Sequence, residues 1–304
     1  MSEPGLQTLL GRADAALTLG RAEEAERAAR GALAIEPANP TGHALLTRAL
    51  LLQAKAEEAL RAAEAGVGAC PDSEWLHRLR ALSLRKLGKN REALAAADEA
   101  VRIAPDVPET HHARSLVLEA LKRKAEAREA SERAISLAPH EAPYHAQLGD
   151  LWVDTDAAVA EGHYRESLRL DPSSAAVLNN LGVALLRQKQ TREAALAFRS
   201  AVLLDPTLEV AKQNTHASAR RLLGGGAALS MFFVITNAAR LVSHVDGDLR
   251  PAGAGLALLL IVVGGTIWFV RKHLRMKRLA EEEPQLHAIY VTLEAERKAG
   301  RLKV

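Results

Sequence analysis

The stretch that decides the fold is Ala175–Pro206, AAVLNNLGVALLRQKQTREAALAFRSAVLLDP, in which two apolar-patterned segments are followed by a proline. The same arrangement recurs along the chain, because prolines stand at intervals of 34, 34, 34, 33 and 34 residues. They are Pro37, Pro71, Pro105, Pro139, Pro172 and Pro206. A fixed period of this length indicates a stacked repeat architecture rather than a single globular core.

The six blocks that end at these prolines also share small residues at fixed offsets. Twelve residues before each proline lie Ala25, Ala59, Ala93, Ala127, Ala160 and Ala194. Eight before lie Ala29, Ala63, Ala97, Ser131, Tyr164 and Phe198, and five before lie Ala32, Gly66, Ala100, Ala134, Ser167 and Ala201. Steps of four and three place these residues on one helical face, where small side chains let two helices approach closely.

Each block is therefore predicted to be a helix, a short turn and a second helix. Gly20 and Gly88 fall where a first helix would end, the position of a left-handed cap. Each proline is expected to end the second helix, because it cannot continue the hydrogen-bond ladder. The fifth block is one residue shorter than the others.

This pattern resembles the tetratricopeptide repeat over roughly residues 5–206. The quoted stretch carries the family's positions as Leu178, Leu181, Gly182, Ala194, Phe198, Ala201 and Pro206. The resemblance implies an all-α, right-handed superhelical solenoid with a concave groove. Its repeats are expected at 5–37, 38–71, 72–105, 106–139, 140–172 and 173–206. A capping helix should follow at 207–222, with its solvent-facing side drawn from Glu209, Lys212, Gln213, Asn214, His216 and Arg220.

The resemblance also implies that the first helix of each repeat faces the groove and binds a protein or peptide partner. The expected groove residues are Arg48, Trp75, Arg78, Arg85, Lys86, His112, Asn179, Asn180 and Arg187. Arg78 and Arg85, with Trp75, suit a carboxylate-bearing peptide, because guanidinium groups bind carboxylates through paired hydrogen bonds. An ordinary solvated face is the alternative. The carboxylate clamp of chaperone-binding family members is not present in register.

Beyond residue 222 the composition becomes apolar in two segments, 223–242 and 252–270. The second holds nineteen residues without a charge, close to the roughly 20 that a membrane-spanning helix needs. The first contains Asn237 and Arg240, so an interfacial helix, or a helix buried in a partner complex, is its alternative. Two spans predict a hairpin with an external loop at 243–251. One span alone would place the termini on opposite sides of the membrane.

Basic residues flank the two segments on one side and orient the hairpin. They are Arg220, Arg221, Arg271, Lys272, Arg275, Lys277 and Arg278. Such flanks stay in the cytoplasm and attract anionic lipid headgroups, so the repeats are expected on the cytoplasmic face, in the style of a bacterial inner-membrane protein. Residues 207–304 carry a net charge of +6 and residues 1–206 carry −3. The positive net charge of the chain comes from its C-terminal third, so it gives no argument for binding nucleic acid.

Residues 271–304 are expected to form a basic juxtamembrane segment followed by a short amphipathic helix. Its apolar face would hold Leu286, Ile289, Tyr290 and Leu293. This helix would dock on the repeats or bind a partner.

No catalytic residue, metal site, cofactor or small-molecule substrate is predicted. His111 and His112 are adjacent, so they point to different sides of a helix and do not form a ligand pair. The single cysteine, Cys70, allows no intrachain disulfide, which fits a reducing compartment. The sequence thus favours a membrane-anchored interaction scaffold. The alternatives are a regulatory subunit that docks on a membrane enzyme or transporter through the hairpin, and an enzyme of unrecognised type.

Overall fold

The computed structural model describes residues 3–222 and, beyond them, positions 270, 273, 274, 276–278, 281, 284 and 291. Within residues 3–222 the chain forms thirteen helices and no strand. It divides into two compact units, Met1–Asp154 and Thr155–Val304, which are treated separately below.

The first unit contains nine helices. They are α1 (Glu3–Thr18), α2 (Ala22–Ile35), α3 (Pro40–Leu52), α4 (Ala56–Ala69), α5 (Glu74–Lys86), α6 (Asn90–Ile103), α7 (Pro108–Ala120), α8 (Lys124–Leu137) and α9 (Ala142–Trp152). Each packs on the next, and the first helices of successive blocks, α1, α3, α5, α7 and α9, also contact one another in order. The unit is therefore a stack of helix pairs whose first helices lie side by side.

The second unit contains the remaining helices of residues 3–222. They are α10 (Ala157–Leu170), α11 (Ala175–Arg187), α12 (Thr191–Leu204) and α13 (Glu209–Leu222). Each packs on the next along the chain. The second helix of every block ends two residues before its proline, as expected from the missing N–H group of that residue.

Five first helices end in the same left-handed turn. Its residue with positive φ is Gly20, Ala54, Gly88, Lys122 or Lys189. The residue after it donates a backbone hydrogen bond to the carbonyl five positions back, as in Arg21 N to Ala16 O at 2.8 Å. This is the Schellman arrangement, and it confirms the caps predicted at Gly20 and Gly88. The fifth block has no such residue, and its first helix, α9, has 11 residues where α3, α5, α7 and α11 have 13.

The small residues at the three shared offsets are buried in every block, as the sequence pattern predicts. In the sixth block, where the residue eight before the proline is large, the facing first helix compensates. Phe198 on α12 is fully buried, and a Cβ atom built on Gly182 of α11 would lie 2.5 Å from its ring. In the fourth block the facing positions are Ser115 and Ser131, whose hydroxyl oxygens lie 2.7 Å apart. Side-chain size is therefore matched across each of these helix pairs.

A histidine six residues after the proline links successive blocks of the first unit. The Nε2 atoms of His43, His77, His111 and His145 donate to the carbonyls of Pro37, Pro71, Pro105 and Pro139, at 2.7–3.0 Å. A carbonyl oxygen only accepts, so Nε2 carries the proton in each ring. The signal in the sequence is a 34-residue histidine period, which the prolines alone do not reveal.

Helix α13 corrects one expectation about the solvent-facing side of the predicted capping helix. Its buried residues include Ala211, Thr215, Ser218 and His216, so the imidazole of His216 does not face solvent. The cause is its packing on α12, which covers a face made of small and polar residues. Asn214 is half-buried, and its amide donates to the Asn179 side-chain oxygen at 2.9 Å.

In the part of the chain that the structure describes, no helix has the length and apolar character needed to cross a bilayer. The predicted spans at 223–242 and 252–270, apart from Val270, lie outside the described residues, as does the external loop at 243–251. Most of the segment 271–304, with its predicted amphipathic helix, lies outside them too.

The left-handed turns predict opposite changes in stability for substitutions to glycine and from glycine. Ala54→Gly, Lys122→Gly and Lys189→Gly should each raise the free energy of unfolding by roughly 0.5–1 kcal/mol, because glycine adopts positive φ without strain. Gly88→Ala should lower it by a similar amount, since a Cβ atom there meets nothing within 4 Å and only the backbone is affected. Urea unfolding followed by circular dichroism measures both. Equal unfolding midpoints for all four variants would contradict the positive φ angles assigned to these positions.

The contact between Gly182 and Phe198 predicts that alanine destabilises this helix. Gly182→Ala should lower the free energy of unfolding by about 1–3 kcal/mol through overpacking. Phe198→Leu added to it should restore part of the loss. The control is Gly162→Ala in α10, where a Cβ atom meets nothing within 4 Å and alanine should stabilise the helix by about 0.5–1 kcal/mol. Stabilisation by Gly182→Ala would show that the two helices do not approach this closely.

Candidate functional site

One face of α5 carries alternating aromatic, cationic and apolar side chains. Trp75, Arg78, Leu82 and Arg85 are spaced three, four and three residues apart, so they lie on one stripe of the helix. All four are partly buried. The stripe faces the region between α3 and α7, because these two helices flank α5 in the stack.

A cavity of about 640 Å³ lies along this stripe between α3, α5 and α7. It is lined by Arg48, Leu51, Leu52, Trp75, Arg78, Leu79, Leu82, Lys86, Glu109, His112, Ala113 and Leu116. Of the groove residues expected from the sequence, the lining includes Arg48, Trp75, Arg78, Lys86 and His112. We call this cavity the α5 groove.

The two arginines of the stripe are partly buried cations. Burial lowers the pKa of Arg78, and the nearby carboxylates of Glu109 and Glu74 oppose that shift. Burial also lowers the pKa of Arg85, opposed by Glu119. Among the described residues neither guanidinium forms an ion pair or a hydrogen bond, and the Nε atom of Arg85 is buried without a partner. Both side chains therefore keep unused hydrogen-bond donors.

His112 on α7 is held neutral beside these arginines. Burial, together with the positive charges of Arg85 and Arg78, lowers the pKa of His112 to about 4. Its ring lies 4.9 Å from the ring of Tyr144, centroid to centroid, at an interplanar angle of 40°. Burial, with Glu109 and Glu141, raises the pKa of Tyr144 to about 12. Both rings are therefore uncharged near pH 7, and the positive charge of the groove comes from arginine and lysine.

The other expected groove residues lie elsewhere. Arg85 is on the groove face of α5, one turn beyond Leu82, but it does not line the cavity. Asn179, Asn180 and Arg187 are on α11 of the second unit. Asn179 is buried, donates to the Asn180 oxygen at 3.3 Å and accepts from Asn214. Its amide is therefore occupied within the fold.

Sequence reasoning missed the apolar wall of the groove. Its members are Leu51, Leu52, Leu79, Leu82 and Leu116. Leu52 is 61% exposed. The available signal was the position of Leu82 between Arg78 and Arg85 at helical spacing.

Among the described residues no cluster of His, Cys, Asp and Glu has the arrangement of a metal site. His77 and His111 use their Nε2 atoms on the proline carbonyls. The described side chains of the α5 groove therefore present hydrogen-bond donors and apolar surface rather than a set of metal ligands.

Comparison with known families identifies the repeat. A family model described as "Tetratricopeptide repeat" matches residues 78–142 and 150–209. No curated protein matches the chain in sequence. The matching model describes a repeat and not a catalytic domain.

Solved structures with the same fold include three that differ in size and source. TTC0263, a thermophilic TPR protein of Thermus thermophilus, is 21% identical with a TM-score of 0.56, over 60% of this chain and 99% of its own. Pseudomonas aeruginosa PilF is 17% identical with a TM-score of 0.55, and the match covers 69% of this chain and 96% of PilF. A chain of the APC/C hetero-tetramer Cut9–Hcn1 is 16% identical with a TM-score of 0.56, and the match covers 84% of this chain and 55% of that chain.

The family model, the fold of these structures and the six blocks of the sequence agree. The repeats of this chain, which the family model matches at residues 78–142 and 150–209, belong to the tetratricopeptide repeat family.

Proposed function

We propose that the chain is a membrane-anchored scaffold that holds a segment of a protein partner in the α5 groove. The observation that carries the proposal is the groove itself, where five side chains expected from the sequence meet an apolar wall in one cavity. Mostly apolar lining with a few placed polar groups is typical of binding sites. The groove is also partly open to solvent, which suits a peptide segment.

The fold supports assembly with other proteins rather than chemistry. Stacked repeats create extended concave surfaces by their geometry. Cut9, which shares this fold, crystallised as a hetero-tetramer with Hcn1. For this chain the partner is a proposal that rests on the lining of the α5 groove.

Membrane anchorage is proposed from the sequence beyond residue 222. The uncharged segment 252–270 and the basic residues that flank the apolar segments support it, with the repeats on the cytoplasmic face. Arg221, Lys277 and Arg278, three of those basic residues, are exposed and accessible to anionic headgroups. The scaffold would then recruit its partner to a bacterial inner membrane.

A second candidate is a regulatory subunit of a membrane enzyme or transporter. Asn237 and Arg240 within the first apolar segment favour it, because polar residues at membrane depth commonly contact another protein. Replacing residues 223–270 with an unrelated anchor separates the two, since a simple scaffold keeps its function and a docking subunit loses it.

The groove predicts where the partner will crosslink. A photoreactive phenylalanine analogue placed at Leu52, in the intact membrane-bound chain, should form a covalent adduct with the partner. Arg78→Glu with Arg85→Glu should reduce that adduct at least roughly 10-fold, because two charge reversals beside the apolar wall disturb the packing of any segment held there. The measurement is the adduct's yield on a gel, followed by mass spectrometry.

The matched control reverses two exposed arginines outside the groove, Arg102→Glu and Arg133→Glu, which carry the same change in net charge. Both double variants should keep their helicity by circular dichroism. Equal adduct yields from the two variants would remove the α5 groove as the binding surface.

The proposed topology predicts two further results. The chain should pellet with membranes and resist extraction at high pH, and protease added to spheroplasts should leave the repeats intact. Immunoblotting of the repeats measures both, with a periplasmic marker as the digestion control. Release by salt alone would disprove the anchor, and digestion in intact spheroplasts would reverse the orientation.

A further inference from the structure

We infer that the partner segment of the α5 groove is acidic, with two carboxylates on either side of an apolar side chain that packs on Leu82. This inference rests on the proposed function and specifies the chemistry of the bound segment. It is carried by the two arginines of the α5 stripe, which are partly buried on the groove face and have no acidic partner within 4.0 Å among the described residues.

Several other arginines of this unit already have an acidic partner. Arg30 binds Glu26 at 2.9 Å, Arg114 binds Asp98 at 2.7 Å, and Arg48 lies 3.5 Å from Asp14. These pairs form between helices or along one helix. In the part of the chain that the structure describes, Arg27, Arg61 and Arg91 lack such a pair but are exposed, and Arg80 of α5 is partly buried without one. Arg78 and Arg85 have no carboxylate within 4.0 Å among the described residues.

Arg78 and Arg85 are partly buried although neither forms an ion pair among the described residues. Removing a guanidinium from water is unfavourable unless an anion or hydrogen-bond acceptors replace the solvent. Glu119, the carboxylate whose charge acts on Arg85, accepts a hydrogen bond from Gln147 at 2.9 Å. Glu109 acts on Arg78 only at longer range. A ligand carboxylate at each arginine would supply the missing acceptors, and a planar guanidinium binds it in a bidentate manner.

The apolar part of the segment follows from what lies between the arginines. Arg78 and Arg85 are seven residues apart, a rise of about 10.5 Å along the helix axis. Leu82 occupies the interval, and Leu79, Leu116 and the exposed Leu52 widen the apolar surface around it. Two carboxylates that bind both arginines must span this surface. The residue between them is therefore buried on leucine, so its side chain must be apolar.

The same surface favours a protein segment over a nucleic acid or a lipid headgroup. Much of the groove lining is leucine, which offers no hydrogen-bond partner to a phosphate group or a lipid headgroup. Charge complementarity and the apolar wall together fit an acidic peptide with an apolar anchor.

A random-peptide display selection on the full chain in nanodiscs tests the inference, with Arg78→Gln/Arg85→Gln protein as the counter-selection target. The selected peptides should hold two Asp or Glu residues around Leu, Ile, Phe or Met. Each single arginine substitution should weaken a selected synthetic peptide roughly 10- to 100-fold. Arg102→Gln is the charge-matched control and should bind as the parent does.

Each outcome separates the two proposals. Groove-binding peptides that are neutral or basic would overturn the inference and leave the proposed function standing. Peptides that bind equally after Leu82→Glu occupy another surface, and that result would overturn both. Preferential binding of RNA or anionic vesicles, lost with Arg78→Gln, would replace the peptide with that ligand class.

A stability measurement distinguishes a binding role for the arginines from a structural one. Because neither guanidinium has a partner among the described residues of the free chain, Arg78→Gln and Arg85→Gln should leave the unfolding midpoint unchanged or raise it while binding falls. A midpoint that falls in parallel with the affinity would assign both residues to the fold and overturn the inference.

Discussion

The close approach of the two helices in each pair is the constraint on which the rest of the structure depends. Buried alanine, serine and glycine allow it, and at Gly182 the space left by a missing Cβ atom is filled by the ring of Phe198. One pair cannot bury its own apolar face, so stability comes from stacking on its neighbours. Stacking in turn sets the first helices of the first unit side by side, and the α5 groove is the space between three of them.

Much of this architecture could be predicted because its signals are local and periodic. The prolines end the second helices, and Gly20 and Gly88 adopt positive φ, for reasons contained in single residues. Ala54, Lys122 and Lys189 could not be predicted in the same way, since only the hydrogen bonds of the turn hold them in a conformation that L-residues disfavour. The expectation for His216 was wrong because helical periodicity does not reveal how wide a face the neighbouring helix covers.

The position of the candidate site could be anticipated from the repeat, but the burial and pairing of its side chains could not. Arg48, Arg78 and His112 line one cavity because they come from successive first helices: Arg78 and His112 lie seven residues after Pro71 and Pro105, and Arg48 lies eleven after Pro37, about one helical turn further on. Their charge states follow from burial, and whether an arginine has an acidic partner depends on side-chain contacts that no sequence pattern encodes. Asn179 illustrates the reverse case, because its position suits a groove but Asn214 and Asn180 occupy its amide.

The bond from histidine to the proline carbonyl makes the blocks of the first unit interchangeable modules. Each proline is held by a residue of the following block, always six positions on, so joining Pro105 directly to His140 would bring His145 to the carbonyl that His111 now binds. Whole blocks can therefore be gained or lost by recombination while every remaining turn keeps its contact. The histidine contact is not repeated at Pro172, where Leu178 takes the histidine's place.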